Sequence, residues 1–319
     1  MSLSYIKKLN SFNPWLTIEL TNLCNYNCIM CYREEVDIKQ KGFININLFN
    51  KIIKDIKESG LQFYGLKLAW LGEAFMHPEI DNILDILNTN KEFFNCIAFD
   101  TNISFIEKQH IDKLNKLSKP VFLFLSIDAE CSKTYTNIRK NGNFNKIIEN
   151  INIIEKNRNS NIYLRYQFIP MKENIHELKD FIEKFQKKDK YLKILKSEKT
   201  DLEEDYIFIR KLVYPGKENE STEMFIKALE ISGLNISENN LNSSQQKSNI
   251  CHKLYTMPII RWNGIVGFCN NDPEMSLSPG TITENLKFSE IWINLMKKIR
   301  IDQENCHYQG KCKDCFIKN

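Results

Sequence analysis

Short apolar runs alternate with helical patterns along roughly the first 200 residues. Runs of this length, bounded by polar and turn residues, are typical of buried strands. They predict six strands, at Trp15–Thr21, Leu66–Leu71, Asn95–Asn102, Val121–Asp128, Asn161–Phe168 and Tyr191–Leu195.

Between these runs, apolar residues recur at helical spacing. One segment has Asn45 or Asn47 as its expected N-cap and Gly60 as its stop, and another follows Asn174. Their apolar faces are Leu48, Phe49, Ile52, Ile53 and Ile56, and Ile175, Leu178, Phe181, Ile182 and Phe185. Strands that alternate with helices predict an α/β fold with a parallel sheet and right-handed crossovers. Six such units predict a partial (β/α)6 barrel, in which ligands bind at the carboxyl ends of the strands.

The pattern changes after residue 200. Residues 201–250 contain one predicted helix, Met224–Ile231 behind Ser221 and Thr222, and a polar run, ISENNLNSSQQKSN, typical of a linker. Beyond it, Ile259–Cys269 predicts a hairpin that turns at Asn263-Gly264, and Phe288–Arg300 a helix capped by Ser289. We therefore expect a barrel at 1–200, a linker or lid at 201–250 and a small domain of hairpin and helix at 251–319.

Strand alternation places a set of polar side chains inside the barrel. Tyr163, Arg165 and Gln167 share one face of the fifth strand, and apolar residues share the other. The same alternation turns these further side chains inward: Thr17, Glu19, Lys67, Asp100, Asn102, Ser126 and Asp128. A lumen this polar suits a hydrophilic substrate, although structural salt bridges are an equally good account of any single member.

Composition and charge narrow the class of protein. The chain has 319 residues, 42% hydrophobic and 26% charged, which excludes disordered and collagen-like classes. A net charge of +4 does not favour nucleic acid or an anionic membrane as a partner. Because the chain shows neither a long apolar run nor a signal peptide, we expect a cytoplasmic protein with reduced thiols. Its ten cysteines then indicate metal ligands or reactive thiols.

Three cysteines lie close together at Cys24, Cys28 and Cys31. Three thiolates suit three irons of a four-iron cluster and leave the fourth iron open, whereas a structural zinc site needs a fourth ligand. The sequence around them, LTNLCNYNCIMCYRE, is similar to the signature of the radical S-adenosylmethionine (SAM) enzymes. Met30 and Tyr32, beside the third cysteine, match residues that are usual there and are carried over as cofactor contacts.

Three further segments resemble SAM-binding motifs of that family. Trp70-Leu71-Gly72-Glu73-Ala74 resembles a Gly-Gly-Glu-Pro segment that holds the SAM amino group, with Leu71 and Ala74 as departures. Thr101-Asn102 is similar to Thr-Asn-Gly, with Ile103 in place of the glycine. The third resemblance covers Ser126-Ile127-Asp128 and Ile138-Arg139, which match segments that contact the SAM ribose and carboxylate. The resemblance therefore assigns SAM binding to Gly72, Glu73, Asn102, Ser126 and Arg139.

Five cysteines fall in the last 69 residues. The spacing from Cys251 over twelve residues to Gly264 and over four more to Cys269 resembles the opening of SPASM and Twitch auxiliary-cluster domains. Two auxiliary clusters would need about seven or eight cysteines, so one [4Fe-4S] cluster is expected. The resemblance assigns it Cys251, Cys269, Cys312 and Cys315, with Cys306 as an alternative ligand. A zinc ribbon stays open because thiolate spacing alone does not choose the metal.

Together these features predict a radical SAM oxidoreductase with two [4Fe-4S] clusters and SAM. By resemblance, a 5′-deoxyadenosyl radical takes a hydrogen atom from a polar small molecule, such as a sugar, aminocyclitol or nucleotide-sugar, and the auxiliary cluster oxidises the substrate radical. The expected reductant is a flavodoxin or ferredoxin. Candidate catalytic groups in the lumen are Glu19, Asp128, Tyr163 and Arg165.

Two alternatives remain open at this stage. A peptide-modifying enzyme, acting by oxidation, cross-linking or epimerisation, is less favoured because only 14 residues precede the first strand, too few for a peptide-recognition module. A non-catalytic iron–sulfur or zinc protein, acting as electron carrier or scaffold, belongs to a different class.

Overall fold

The computed structural model describes residues 3–34, 36, 40–186, 192–198, 202–213, 217–234 and 250–317. The predicted polar linker at 236–249 lies outside the described residues, as does Tyr191. None of the helices in the described ranges combines the length and the apolar character needed to cross a membrane.

The strands follow the chain in an order close to the prediction. They are β1 Trp15–Ile18, β2 Asn27–Cys28, β3 Phe63–Lys67, β4 Phe94–Thr101, β5 Val121–Ser126, β6 Arg139–Lys140, β7 Ile162–Phe168, β8 Lys193–Leu195, β9 Tyr206–Ile209, β10 Ile259–Ile260, β11 Ile265–Gly267 and β12 Gly280–Thr281.

Helices separate most of the long strands. They are α1 Leu3–Asn10, α2 Ile46–Ser59, α3 Ile80–Thr89, α4 Lys108–Lys116, α5 Ser132–Ile138, α6 Phe144–Asn157, α7 Leu178–Phe185, α8 Glu218–Ile231, α9 Lys253–Thr256, α10 Phe288–Glu290, α11 Met296–Glu304 and α12 Gly310–Ile317. A π-helical turn, Ile291–Leu295, joins α10 to α11, and short 3-10 helices lie at Tyr32–Glu34, Ala74–Met76, Lys91–Phe93 and Ile175–Glu177.

The chain forms two compact units. The first comprises residues 1–23, 36–98 and 245–319, and the second comprises residues 24–35 and 99–244. Strand β4 begins in the first unit and ends in the second. This grouping differs from the predicted division at residues 200 and 250, because the C-terminal segment is grouped with the first strands. The predicted boundaries stay a prediction.

The first unit has the strand order β12-β11-β10-β1-β3-β4. β3 is parallel to both β1 and β4, as predicted for a βα fold. The hairpin predicted at Asn263-Gly264 is formed by antiparallel β10 and β11. β10 also pairs in parallel with β1, where Thr17 lies opposite Ile259. The C-terminal hairpin thus continues the sheet of the N-terminal strands.

Helix α2 illustrates why the helices of this unit form where they do. The Asn45 side chain accepts a hydrogen bond from the Asn47 backbone at 2.8 Å, and Gly60 ends the helix with φ 76°, as the sequence predicted. Its apolar face, Phe49, Ile52, Ile53 and Ile56, is buried. The cap predicted at Ser289 is wrong, because Ser289 lies inside the first turn of α10 and the preceding Lys287 is the N-cap. The Ser289 amide and hydroxyl both donate to the Asp55 carboxylate of α2, each at 2.7 Å.

The second unit has the strand order β5-β7-β9-β8, all parallel. The strand predicted at Tyr191–Leu195 corresponds to β8, but the strand beside β7 is β9, which the sequence analysis assigned to the linker. β2 and β6 form a separate two-stranded antiparallel ladder. Parallel strands with intervening helices in both units confirm the predicted α/β class.

Candidate functional site

The loop with the first three cysteines belongs to the second unit and is held by the β2–β6 ladder. Cys28 lies opposite Arg139 in this ladder. The Ile29 amide donates to the Ile138 carbonyl at 2.9 Å, and the Cys31 amide donates to the Cys28 carbonyl at 3.0 Å. The backbone that carries Cys28 is therefore fixed by the segment around Arg139.

Arg139 joins this loop to the end of strand β5. One terminal nitrogen, Nη1, lies 3.7 Å from Cys28 Sγ, and the other, Nη2, forms a buried ion pair with Asp128. Burial lowers the pKa of Arg139, but the charges of Asp128 and Cys28 outweigh it and leave the pKa above its ordinary value. Arg139 Nε is buried without a hydrogen-bond partner among the described residues. The guanidinium is therefore a fixed cation with one donor still to satisfy beside a thiol.

The electrostatics of Cys28 depend on the same contact. Burial raises the pKa of the Cys28 thiol, the charge of Arg139 opposes that rise, and the neighbouring Cys31 adds to it. The Cys28 thiol would release its proton to solvent on binding a metal, and the charge of Arg139 favours the resulting thiolate.

Asn102, at the end of β4, holds the first cysteine. Its side-chain amide lies 3.6 Å from Cys24 Sγ and donates to Asn25 Oδ1 at 2.8 Å. The next residue, Ile103, is fully buried and has φ 72°, the left-handed region that a β-branched residue rarely adopts. The left-handed turn thus occurs at the position where the resembling motif has glycine.

A chain of hydroxyl groups also braces the cysteine loop. Ser104 Oγ donates to Tyr26 Oη at 2.6 Å, and Tyr135 Oη donates to the same oxygen at 3.4 Å. Gly142 packs against this pair, since a Cβ there would approach Tyr135 Cε1 to 2.6 Å. This close approach explains why position 142 is a glycine.

The Gly72-Glu73 segment belongs to the first unit. A Cβ on Gly72 would lie 2.2 Å from the Thr21 carbonyl oxygen and 2.6 Å from that of Leu23, so only glycine allows this approach. The Glu73 amide donates to the Leu23 carbonyl at 2.9 Å, and its buried carboxylate accepts from the Phe75 amide at 3.2 Å. The segment is thereby bound to the backbone that leads into Cys24.

Glu19 is placed as a buried structural acid of the first unit. It accepts from the Leu71 amide at 3.3 Å, and its other oxygen accepts from Arg261 Nε at 3.2 Å and from the Trp262 amide at 3.4 Å. Burial raises the pKa of Glu19, and Arg261 opposes the rise. The strand predicted at Leu66–Leu71 corresponds to β3, which ends at Lys67, and the Leu71 amide is bound by a side chain and not by a neighbouring strand.

Arg165 and Tyr163 occupy structural positions on β7. The Arg165 guanidinium is sandwiched between the rings of Phe122 and Tyr206, at 4.8 and 4.1 Å, and donates to the carbonyls of Leu202 and Glu204. Tyr163, near the start of β7, donates to Glu203 at 3.0 Å. Both side chains thus fasten the segment before β9.

Asp128 also has a structural role. It is fully buried, pairs with Arg139 and accepts a hydrogen bond from the Ile169 amide at 2.7 Å.

A polar group that the sequence analysis missed lies at the carboxyl ends of β4, β7 and β9. Arg210 Nη1 donates to Gln167 Oε1 at 3.1 Å and lies 3.9 Å from Asp100 Oδ2. The side chains of Arg210 and Asp100 are 41% and 28% exposed, so both reach solvent. The available signal was the apolar run Tyr206–Ile209 directly before Arg210, which marks a strand end.

Three further residues were predicted to contact SAM, namely Met30, Tyr32 and Ser126. Met30 packs in a buried cluster with Ile138 and Met171. Tyr32 begins a 3-10 helix and is half-buried, and Ser126 is the last residue of β5, opposite Gln167 of β7.

Four C-terminal cysteines act on one another in the first unit. Burial, with the charges of Cys251, Cys269 and Cys315, raises the pKa of Cys312 to about 11. Burial also raises the pKa of Cys269, with Cys251 and Cys315 adding to the rise and Lys253 opposing it. Cys306 is exposed, as Cys315 is, but it has φ 60° and interacts with Tyr308. The assignment of Cys251, Cys269, Cys312 and Cys315 to one cluster stays a prediction.

The donor chemistry of both groups fits iron–sulfur clusters. Thiols are the ordinary ligands of such clusters, and the partnerless Arg139 Nε suits the negative charge of a thiolate-bound cluster. Within the described ranges, no three His, Cys, Asp or Glu side chains are already arranged to share one metal ion. The same residues, which include all ten cysteines, form no disulfide.

Comparisons with known proteins identify the family and similar folds. The sequence model of the Radical SAM superfamily matches residues 18–185, more than half of the chain. The fold is similar to the crystal structure of BtrN in complex with AdoMet and 2-DOIA (TM-score 0.50, 13% identity, 92% of this chain and 87% of that chain). It is also similar to anSMEcpe with bound AdoMet (0.58, 14%, 91% and 83%) and to anSMEcpe with AdoMet and Cp18Cys peptide (0.57, 14%, 94% and 85%).

A search of curated protein sequences finds no match. At these identities the structural likeness concerns the fold alone, and it confirms the predicted partial-barrel class with a C-terminal hairpin region. Through the family match and the cysteine motif within it, this chain belongs to the Radical SAM superfamily, whose enzymes use an iron–sulfur cluster and SAM.

Proposed function

We propose that the chain is a radical SAM oxidoreductase that removes hydrogen from a polar small molecule. The observation that carries the proposal is the contact of Arg139 with Cys28, because it sets a fixed cation and an unsatisfied N–H against the cysteine loop. A plain zinc or scaffold site would not require this arrangement.

Cys24, Cys28 and Cys31 would hold the N-terminal [4Fe-4S] cluster. With SAM bound, this group supplies reductive cleavage of SAM to methionine and a 5′-deoxyadenosyl radical, which takes a hydrogen atom from the substrate. The chain's own contributions are electrostatic and steric. Arg139 compensates the negative charge, Asn102 fixes Cys24, and the family resemblance assigns the SAM ammonium to Glu73.

The substrate would be recognised by Arg210 and Asp100 in the second unit. Both are partly exposed at strand ends that also carry Asn102 and Gln167, where ligands of parallel βα folds bind. A cation beside a carboxylate suits a compound with adjacent hydroxyl, amino or carboxyl groups, such as an aminocyclitol, a sugar or a nucleotide-sugar. The complex of the structurally similar BtrN with 2-DOIA supports a small molecule of this size class.

Oxidation of a carbinol also needs an acceptor for the hydroxyl proton. Glu19, Asp128, Tyr163 and Arg165 are each committed to structural partners. We propose Asp100, which is 28% exposed near the end of β4 beside Arg210, as this acceptor. Cys251, Cys269, Cys312 and Cys315 would hold one auxiliary cluster that accepts the second electron, and a flavodoxin or ferredoxin would supply the first.

A second candidate is peptide modification. The complex of anSMEcpe with AdoMet and a peptide favours it, since the fold of that protein is similar to this one at a TM-score of 0.57. The two candidates differ in substrate and share the site.

Anaerobic reconstitution followed by reduction with dithionite and SAM tests the proposal. We expect about eight irons per chain and formation of 5′-deoxyadenosine. Cys28→Ala should abolish 5′-deoxyadenosine, whereas Cys131→Ala, outside both cysteine groups, should not. Absence of 5′-deoxyadenosine from wild type at full iron content would contradict the enzyme assignment, and about four irons would contradict the auxiliary cluster. Deuterium transfer from a labelled aminocyclitol or peptide then separates the two candidates.

A further inference from the structure

Gln303 is a buried amide among the C-terminal cysteines. It lies on α11 and is only 2% exposed. Its Oε1 accepts a hydrogen bond from the Cys251 amide at 3.1 Å. Its backbone carbonyl accepts from the Cys306 amide at 2.9 Å, so the helix end and the following turn hold the residue in place.

The other half of the amide lacks a partner of normal hydrogen-bond geometry. Gln303 Nε2 is buried, and no acceptor in the described part of the chain satisfies it. The side chain also interacts with the Cys312 thiol. Because a buried N–H without an acceptor costs free energy, its position beside a thiol indicates an acceptor that is supplied when the site is loaded.

Cluster sulfurs and bound thiolates are acceptors of this kind. Hydrogen bonds to the sulfurs stabilise the more negative, reduced state of a cluster and so raise its reduction potential. An amide does this without adding a net charge. Oε1 of Gln303 holds the backbone of Cys251, which leaves Nε2 as the donor available to a sulfur of the loaded site.

We propose that Gln303 is a positioning residue for the auxiliary cluster, holding Cys251 through Oε1 and donating through Nε2 to the Cys312 sulfur. This inference rests on the cluster assignment in the proposed function. Its consequence is that the cluster is tuned to accept an electron, in agreement with the direction of electron flow in an oxidation.

The test is a potentiometric titration followed by electron paramagnetic resonance on the reconstituted full-length protein. The N-terminal cluster is recognised by the response of its signal to SAM, and the second signal is titrated. Gln303→Met keeps the shape of the side chain and removes both hydrogen bonds. Gln309→Met makes the same change at an exposed position and is the control.

We expect Gln303→Met to shift the auxiliary potential downward by about 59 mV, a tenfold change in the one-electron equilibrium. The N-terminal potential and the Gln309→Met protein should not change. An unchanged auxiliary potential at full iron content overturns the inference.

A second variant tests the inference if the Gln303→Met protein does not retain the auxiliary cluster. Gln303→Leu removes both hydrogen bonds without adding charge and differs from methionine in shape, so a downward shift supports the inference and no shift overturns it. Failure of the proposed function is seen separately, because wild type itself would then show about four irons and one signal.

Discussion

Arg139 and Asp128 form an ion pair with side chains only 8% and 0% exposed, although each is committed to a different part of the second unit. Asp128 also binds the Ile169 amide, and Arg139 also contacts Cys28. The pair therefore connects the end of β5, the start of the segment after β7 and the cysteine loop.

Removing the cation from this pair should be costly. Arg139→Gln leaves the Asp128 carboxylate buried without its counter-charge, and we expect a loss of about 3–5 kcal/mol in the free energy of unfolding. Urea unfolding of the metal-free protein measures it. Lys172→Gln, which removes an exposed ion pair with Glu220, is the control and should have little effect. Equal, small effects of both variants would show that the Arg139 pair is not structural.

Gly72→Ala should disturb the backbone at Thr21 and Leu23, directly before Cys24. A methyl group there meets two backbone carbonyls, and backbone cannot move aside as a flexible side chain can. We expect a loss of about 1–3 kcal/mol and lower iron incorporation at the N-terminal site. Gly280→Ala is the matched control, since its nearest neighbour would be 3.5 Å away. Unchanged melting temperature and iron content in Gly72→Ala would contradict the steric argument.

His77 should make stability depend on pH. Burial lowers the pKa of His77 below its ordinary value, and the neutral ring donates from Nε2 to the Ile44 carbonyl and accepts the Glu79 amide at Nδ1. Below the unfolded pKa of about 6.5, the unfolded chain therefore binds more protons than the folded chain. Stability should fall as the pH drops from 7 towards 5, by at most about 1.4 kcal/mol per pH unit from this group.

Unfolding free energies measured across that range check this prediction. His77→Gln should be less stable at pH 7 but show a smaller slope between pH 7 and 5. His307→Gln, at an exposed position, should keep the wild-type slope. An identical slope in His77→Gln and wild type would assign the pH dependence to other groups.

Arg210→Gln should weaken substrate binding without weakening SAM cleavage. Its guanidinium reaches solvent beside Asp100 and has no contact with the cysteine loop in the described structure. With 2-DOIA as the probe, we expect the dissociation constant to rise about tenfold, equivalent to about 1.4 kcal/mol. Substrate-free formation of 5′-deoxyadenosine should not change. Lys211→Gln removes the same charge one residue away, and an equal effect there would reduce the role of Arg210 to general electrostatics.

Local signals made much of the fold predictable. Asn45 and Gly60 mark the ends of α2 because capping depends on residues within one turn, and Asn263-Gly264 marks its hairpin for the same reason. β9 was missed because four apolar residues inside a polar stretch carry little periodicity. Parallel pairing with β7 on one side and β8 on the other makes that run a strand.

The candidate site was less predictable than the fold, because its contacts depend on residues that are distant in the sequence. Spacing identified the cysteines, but the partner of a buried charge is chosen by tertiary structure. Strand alternation predicted that Arg165 faces the lumen as a candidate catalytic group. In the structure its guanidinium packs between the rings of Phe122 and Tyr206 and has a structural role. Arg210 could not be found, because the strand that positions it was not recognised.

The parallel pairing of β1 with β10 has a consequence for synthesis of the chain. Thr17 is made early, and its partner Ile259 follows 242 residues later. Until then one edge of the first strand lacks this neighbour, and Glu19 lacks Arg261. Contacts so distant in sequence form slowly and leave open strand edges that favour aggregation. The ribosome must therefore complete about four-fifths of this chain before its first strand can be fully enclosed.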